Sequence, residues 1–314
     1  MKRLNLLLLL LIVALTTNAQ IVKIQPQFIV GEDLYYLGTN IVETTEKKII
    51  TDYIQRIKIV SKDNSGYIIE TEILDANLKY KTWDYDTDLL STIYKARKGI
   101  TFRFKTDLNG CIVKLLNGEE AAKKAKENLE EAWEIAFWGK YPDRFENAQQ
   151  QLELRAAVFS VFSEQGFIIW MQSEPNLFSL FGKELKKGDY KNINIQYGLE
   201  LKNEVYSLSY DEKQQLLVKL YTHLDLTQAE RKLRLLNFLK KQYPNDNTIE
   251  SRIDELFELS QIGKLEISQL SSYRLNKRFI PVEIGFGGKT NQAETSCLYT
   301  LIEKSEVNKY IPLK

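Results

Sequence analysis

The stretch 49–74, IITDYIQRIKIVSKDNSGYIIETEIL, decides the fold. Within it, Gln55-Arg56-Ile57-Lys58-Ile59 alternates polar and apolar residues, the period-2 mark of a strand with one face buried. Asp63-Asn64-Ser65-Gly66 supplies Asx and Gly turn chemistry, and 67–74 returns as a second strand rich in Tyr and Ile. Strands joined by so short a turn run antiparallel, because a parallel pair needs a crossover of roughly a dozen residues or more.

Outward from this hairpin the pattern repeats. A strand is expected over 24–30. Thr101-Phe102-Arg103-Phe104-Lys105 alternates, Asp107-Leu108-Asn109-Gly110 turns, and 111–116 returns. Residues 21–116 thus read as an antiparallel meander. At Asn117 the period changes: Ala122, Ala125, Leu129, Ala132, Trp133 and Ala136 recur at three and four, one face of a helix. Asn117 and Glu120 stand at capping-box spacing, and Gly139 and Pro142 end the helix. A second helix is expected over about 145–162, burying Leu152, Ala156 and Phe159. The stretch 166–171 reads as a third short helix begun by Ser163, with a buried strand as its alternative.

Strands resume over 190–195, 204–210 and 216–224, the last two joined at Asp211-Glu212-Lys213. Thr227 and Glu230 form a capping box for a helix carrying Leu233, Leu236 and Leu239 as far as Tyr243-Pro244. A helix over about 248–260 and strands over 264–270, 279–286 and 295–302 close the chain. Gly285-Phe286-Gly287-Gly288 reads as a hairpin tip or bulge. The fold class is therefore α+β: a large antiparallel β-sheet or open half-barrel packed against helices from 117–172 and 226–260. Residues 20–314 are expected to form a single domain, with meanders over 21–116 and 183–302, a helical middle over 117–172 and a helical insertion over 226–262. Val30-Gly31-Glu32-Asp33-Leu34-Tyr35 opens the first meander and Lys187-Gly188-Asp189-Tyr190 the second, as in a loose duplication.

Residues 1–19 are a separate matter. Lys2 and Arg3 precede an apolar run over 6–15, and Thr17-Asn18-Ala19 puts small residues before Gln20. These are the three parts of a secretory signal peptide, too short in its apolar core to span a bilayer. Residue 20 is Gln rather than the Cys that a bacterial lipoprotein requires, so the exported chain is read as unlipidated. The expected location is the periplasm, the cell surface or the medium. No later apolar run reaches the roughly eighteen residues of a membrane helix.

Without its leader the chain carries −1 instead of +1. So small a net charge provides no global field toward nucleic acid or anionic lipid. The two cysteines, Cys111 and Cys297, leave two readings open: a disulfide closing a very long loop, or two buried free thiols.

The candidate chemistry fails on spacing. Asp84, Asp86 and Asp88 have calcium-loop intervals, but Leu89 and Lys95 occupy the positions where an EF-hand needs Gly and Glu. Gly288-Lys289-Thr290 resembles the end of a phosphate loop, but Glu283 stands where that motif needs Gly. His223, the single histidine, cannot be paired into a triad by sequence alone, and one His with two distant Cys offers no zinc set. Glu130, Glu131 and Glu134 lie among lysines and read as a solvated helix face. No catalytic residue, metal ligand or cofactor is assigned. One cluster stands out. Trp133, Phe137, Trp138, Phe159, Phe162, Phe167, Trp170, Phe178 and Phe181 fall within fifty residues. Helices laid over a sheet can leave an apolar cavity, and Trp133, Phe137, Phe159, Phe162 and Trp170 are its candidate lining, against ordinary core packing.

Export, a long meander, overlying helices and no catalytic set together resemble the clam of bacterial lipoprotein carriers, the LolA/LolB-like architecture. That resemblance covers residues 21–225, and it implies acyl chains held between sheet and helices. Asn18-Ala19-Gln20, Gly31-Glu32-Asp33-Leu34-Tyr35 and Lys187-Gly188-Asp189 resemble segments of uncharacterised exported proteins of Bacteroidetes, which implies an envelope location. The expectation is a non-catalytic envelope protein binding an apolar or lipid-like ligand. A structural module that binds another envelope protein is the alternative, and an enzyme of unrecognised type the third reading. Nucleic acid is not an expected partner.

Overall fold

A computed structural model describes residues 21–45, 48–80, 92–93, 96–133, 148–160, 162–172, 176–194, 199–259, 267–290 and 293–310. The leader, Phe137, the Asp84-Asp86-Asp88 loop and Glu134 lie outside these residues.

The meander read from 49–74 is present and larger than expected. Strands β1 (Val22–Lys23), β2 (Asp33–Glu43), β3 (Lys48–Asp63), β4 (Gly66–Tyr80), β5 (Thr101–Thr106) and β6 (Ile112–Leu115) precede the helices. Asp63 Oδ1 accepts from the N–H groups of Ser65 (2.7 Å) and Gly66 (3.0 Å), which closes the β3–β4 turn as an Asx turn. Gly66 sits at φ +150°, where a Cβ would meet the Thr106 carbonyl, so only glycine lets β5 approach. The expected strand over 24–30 does not form; the chain there is irregular, and β1 lies just before it at Val22–Lys23. Those two pair with β7 (Glu184–Leu185) as a separate small sheet. The longer β2 lies just downstream, where Val30-Gly31-Glu32 turns into it.

Helices α1 (Gly118–Trp133), α2 (Ala148–Ser160) and α3 (Glu164–Gln172) form the helical middle. Asn117 does not cap α1 through a box. Its side chain accepts from Arg103 N (2.8 Å) and donates to Thr101 O (2.8 Å), tying the helix start to β5. The helix reading of 166–171 is the right one: the Ser163 hydroxyl accepts from Gly166 N at 3.1 Å, and α3 follows. Leu152 is 54% exposed and Ala156 is exposed too, so α2 does not bury the face expected of it.

Next come β8 (Tyr190–Asn194), β9 (Glu200–Tyr210), β10 (Leu216–His223), α4 (Gln228–Gln242), α5 (Ile253–Leu259), β11 (Ile267–Leu275), β12 (Pro281–Thr290), β13 (Glu294–Ile302) and α6 (Lys304–Tyr310). Thr227 and Glu230 make both bonds of the capping box, a feature contributing about 1 kcal/mol. On α4, Leu236 and Leu239 face inward as expected and Leu235 is buried beside them, while Leu233 is exposed. Leu235 packs with Leu199, Ile253 and Phe257 in a satellite core. Gly285-Phe286-Gly287-Gly288 is the interior of β12 rather than a hairpin tip, because its register continues unbroken through both neighbours.

One antiparallel sheet of eleven strands results, in the order β6-β5-β4-β3-β2-β13-β12-β11-β10-β9-β8. It is open, with β6 and β8 at its two edges. The two meanders do not stand apart: β2 pairs with β13 from Tyr35 to Glu43, joining the start of the sheet to its end. The main core lies on one face of this sheet. Ile24, Phe28, the 177–185 segment, α1 and α3 fill it against Tyr36, Ile57, Ile69, Phe102, Phe104 and Tyr273. The smaller α6 covers the other face, where Val307 meets Tyr35 and Ile54.

Candidate functional site

Side chains alternate along a strand, so the pairing register sorts the inner face into rungs running across the sheet. One rung holds Tyr53, Gly38, Tyr299, Ile284, Tyr273 and Val218. It is apolar and aromatic; Tyr53 and Tyr299 meet edge to face at 5.8 Å, and Tyr273 Oη lies 3.0 Å from the Ser179 hydroxyl. The adjacent rung holds Thr51, Asn40, Cys297, Phe286, Ser271 and Leu220. Beyond it lie Ile49, Val42, Thr295, Gly288, Gln269, Thr222 and Asn203.

Polarity thus rises along the inner face, with burial kept toward the flanks of the rungs and only partial at Asn40, Phe286, Thr295 and Gln269. Thr51, Ser271, Thr222 and Asn203 are all below a tenth exposed. These side chains come from β3, β11, β10 and β9, and they stand among Ile49, Phe286 and Leu220. Buried polar groups need partners, and a core that only had to be filled would favour aliphatic residues at these positions. Cys297 shares the rung, and burial pushes its thiol up to about 12. At neutral pH it is a protonated, weakly polar part of the wall rather than a nucleophile.

The residues singled out in the sequence go to different places. Phe162 is fully buried, with Phe167 edge to face at 6.1 Å and the Arg97 guanidinium 5.5 Å from its ring centre. It is core, not cavity lining. Phe159 is half-buried beneath the Arg155 guanidinium, 4.8 Å away. Trp133 ends α1 and Trp170 lies in α3. Cys111 and Cys297 are free thiols, the second of the two readings left open by the sequence. Cys111 instead donates to Phe181 O at 3.2 Å. His223 stacks on Tyr221 at 4.6 Å on the outer face, apart from the polar rungs. Lys289 pairs with Glu294 at 3.0 Å across the β12–β13 hairpin, and Glu130 pairs with Arg155. Among the described residues no group of three His, Cys, Asp or Glu gathers to hold a metal ion.

Sequence reading missed the polar rungs. Their signal lies in β11, where Gln269, Ser271, Tyr273 and Leu275 share one face and run from polar to apolar. In β2, Leu34, Tyr36, Gly38 and Asn40 run from apolar to polar in the reverse direction, and Val42 breaks the trend.

Open clefts lie elsewhere among the described residues. One of about 310 Å³ sits under α6 beside Asp52 and Asp75. A trough of about 390 Å³ crosses Gly287 on the outer face. A groove of about 520 Å³ runs along α1 to Glu164. In the first, both carboxylates are engaged: Asp52 accepts from Thr39 at 2.8 Å and Asp75 from Lys98.

No protein-family model and no curated protein matches the chain. Among solved structures, lipovitellin, described for its lipid–protein interactions, is 10% identical with a TM-score of 0.37; the match covers 88% of this chain and 26% of lipovitellin. A Vibrio parahaemolyticus domain assigned to outer membrane lipoprotein sorting is 8% identical with a TM-score of 0.21, covering 88% of this chain and 90% of that domain. Neither likeness is close enough to carry an argument about this chain. No described helix is long and apolar enough to cross a membrane.

Proposed function

We propose that the chain is a non-catalytic binding protein of the cell envelope that holds an amphipathic, lipid-like ligand along the inner face of its sheet. The observation that carries this reading is the buried gradient from the Tyr53–Tyr273 rung to Thr51, Ser271, Thr222 and Asn203. An apolar tail would lie against Tyr299, Phe286 and Leu220, where each buried aliphatic or aromatic group contributes roughly 1.5–3 kcal/mol. The polar end would meet Asn40, Thr51, Ser271, Thr222 and Asn203, whose hydroxyls and amides donate and accept without a charged clamp. The envelope location rests on the leader read in residues 1–19.

Protein purified from its native envelope, extracted with organic solvent and analysed by mass spectrometry, is expected to release a lipid-like species in near-stoichiometric amount. Intact mass is expected to begin at Gln20. Protein that releases nothing on extraction would overturn the ligand reading, and an N-terminus at Met1 would overturn the location.

A further inference from the structure

We propose that the end of the sheet bearing the Ile29–Glu32 and Asp107–Gly110 turns rests on the surface of an anionic lipid bilayer. This goes beyond the ligand reading and stands without it.

Tight turns ordinarily present Gly, Pro, Asn, Asp or Ser. The turns on Asp63-Asn64-Ser65 and Asp211-Glu212-Lys213, at the same end of the sheet, do so. The other two carry such residues as well, Gly31 in one and Asp107, Asn109 and Gly110 in the other, but each also shows aliphatic side chains to water. Ile29 is 55% exposed, Val30 51% and Leu108 40%. The segment leading into the first turn meets the second: Gln25 Nε2 donates to Leu108 O at 3.3 Å, and a Cβ on Gly110 would press on Pro26.

Their exposure is built in. Phe28, immediately before Ile29, is held edge to face between Tyr67 at 5.3 Å and Phe181 at 5.6 Å. Gly31 N donates to Ile59 O at 2.8 Å, and Arg278 grips the Glu32 carboxylate through both terminal nitrogens, at 2.9 and 2.7 Å. A turn pinned on three sides displays two aliphatic side chains to water when it could bury them or replace them with polar residues. Lys62 and Lys277, exposed and outside the ion pairs of the described residues, flank the tips. Lys62 sits over the Tyr67 ring, and Lys277 precedes Arg278, whose carbonyl accepts from Gln27 N.

Aliphatic side chains on separate protruding turns make no continuous groove for a peptide. They suit insertion among lipid headgroups, with the two ammonium groups left at the level of the phosphates. The full chain is expected to float with vesicles of phosphatidylcholine and phosphatidylglycerol in a density gradient, less so as salt is raised. The double variant Ile29→Asp/Val30→Asp is expected to lower the bound fraction by about tenfold or more. Leu298→Asp, on the exposed outer face, is expected to leave it unchanged. Val30→Trp is expected to show a blue shift of its indole emission on adding vesicles, which keeps the test available if the double variant does not fold. Absence of flotation by the unmodified chain, flotation retained by the double variant, or emission from the Val30→Trp variant that vesicles leave unshifted would each overturn the proposal. Ligand extraction is read separately, so its result is independent of these.

Discussion

The Tyr53 ring lies across Gly38: a Cβ placed on Gly38 would come within 2.5 Å of the ring's Cζ. The two residues are direct partners on β3 and β2, and Tyr299 is the partner of the same glycine on β13. Glycine here is required by packing, since its backbone is not among those with positive φ. Gly38→Ala is expected to cost about 1–3 kcal/mol through overpacking. Gly287→Ala, whose Cβ would meet nothing, is expected to be neutral or to stabilise by about 0.5–1 kcal/mol. Urea unfolding of both variants checks the pair.

Tyr36 donates its hydroxyl to Pro281 O at 2.8 Å in full burial. Burial, with the nearby Glu32 carboxylate, raises its pKa well above the ordinary phenol value, so it stays a donor at all practical pH. Tyr36→Phe leaves that carbonyl without its partner and is expected to cost about 1–3 kcal/mol, read as a lowered denaturation midpoint at unchanged slope.

Asp63 is held below its ordinary value of 3.8, chiefly by the hydrogen bond from Lys105 and then by Ser65. A depressed carboxylate contributes stability that is complete above its unfolded pKa and is lost as pH falls through the folded one. The folded protein is therefore expected to weaken only below about pH 4 on this account, and Asp63→Asn is expected to flatten that acid slope. Thermal melts across the acid range check it. The group is fully exposed, so salt is expected to weaken the effect.

Both thiols resist ionisation, Cys297 pushed up to about 12 by burial and Cys111 raised by burial and the nearby Asp107 carboxylate. Iodoacetamide at neutral pH is expected to label neither appreciably in the folded protein and both in denaturant without reductant. Failure of the second labelling would restore the disulfide.

Ser271 separates a ligand wall from a filled core. Ser271→Val is expected to change the stability of ligand-free protein by less than about 1 kcal/mol, where a tightly packed interior would lose about 1–3. It is expected to reduce the lipid-like species recovered by extraction several-fold. An unchanged yield would count against the polar rungs as the site.

The hairpins were legible because their turns carry their own hydrogen-bond chemistry: Asp63, Asp107 and Asp211 each accept backbone N–H groups within their own loops. Thr227 was legible for the same reason. Non-local features were not. That β2 would pair with β13 is decided by partners far apart in the chain. The extended role of Gly285 to Gly288 inside β12 depends on neighbours on both sides. The aromatic cluster left pocket and core packing both open for a related cause: composition gathers Phe162, Phe167 and Phe178 in sequence, but only packing shows them sealed in the core. The polar rungs become visible once the register has placed residues from seven strands side by side.

The pairing of β2 with β13 has a consequence for how the molecule is made. The Tyr36–Pro281 contact beside that seam bridges 245 residues. Contacts so distant form late and slowly. A chain made amino end first holds out the bare border of β2 until almost all of its length has been synthesised. During that interval the half-finished sheet is adhesive along one side, and a holdase, or rapid completion of the chain, becomes a condition for its assembly.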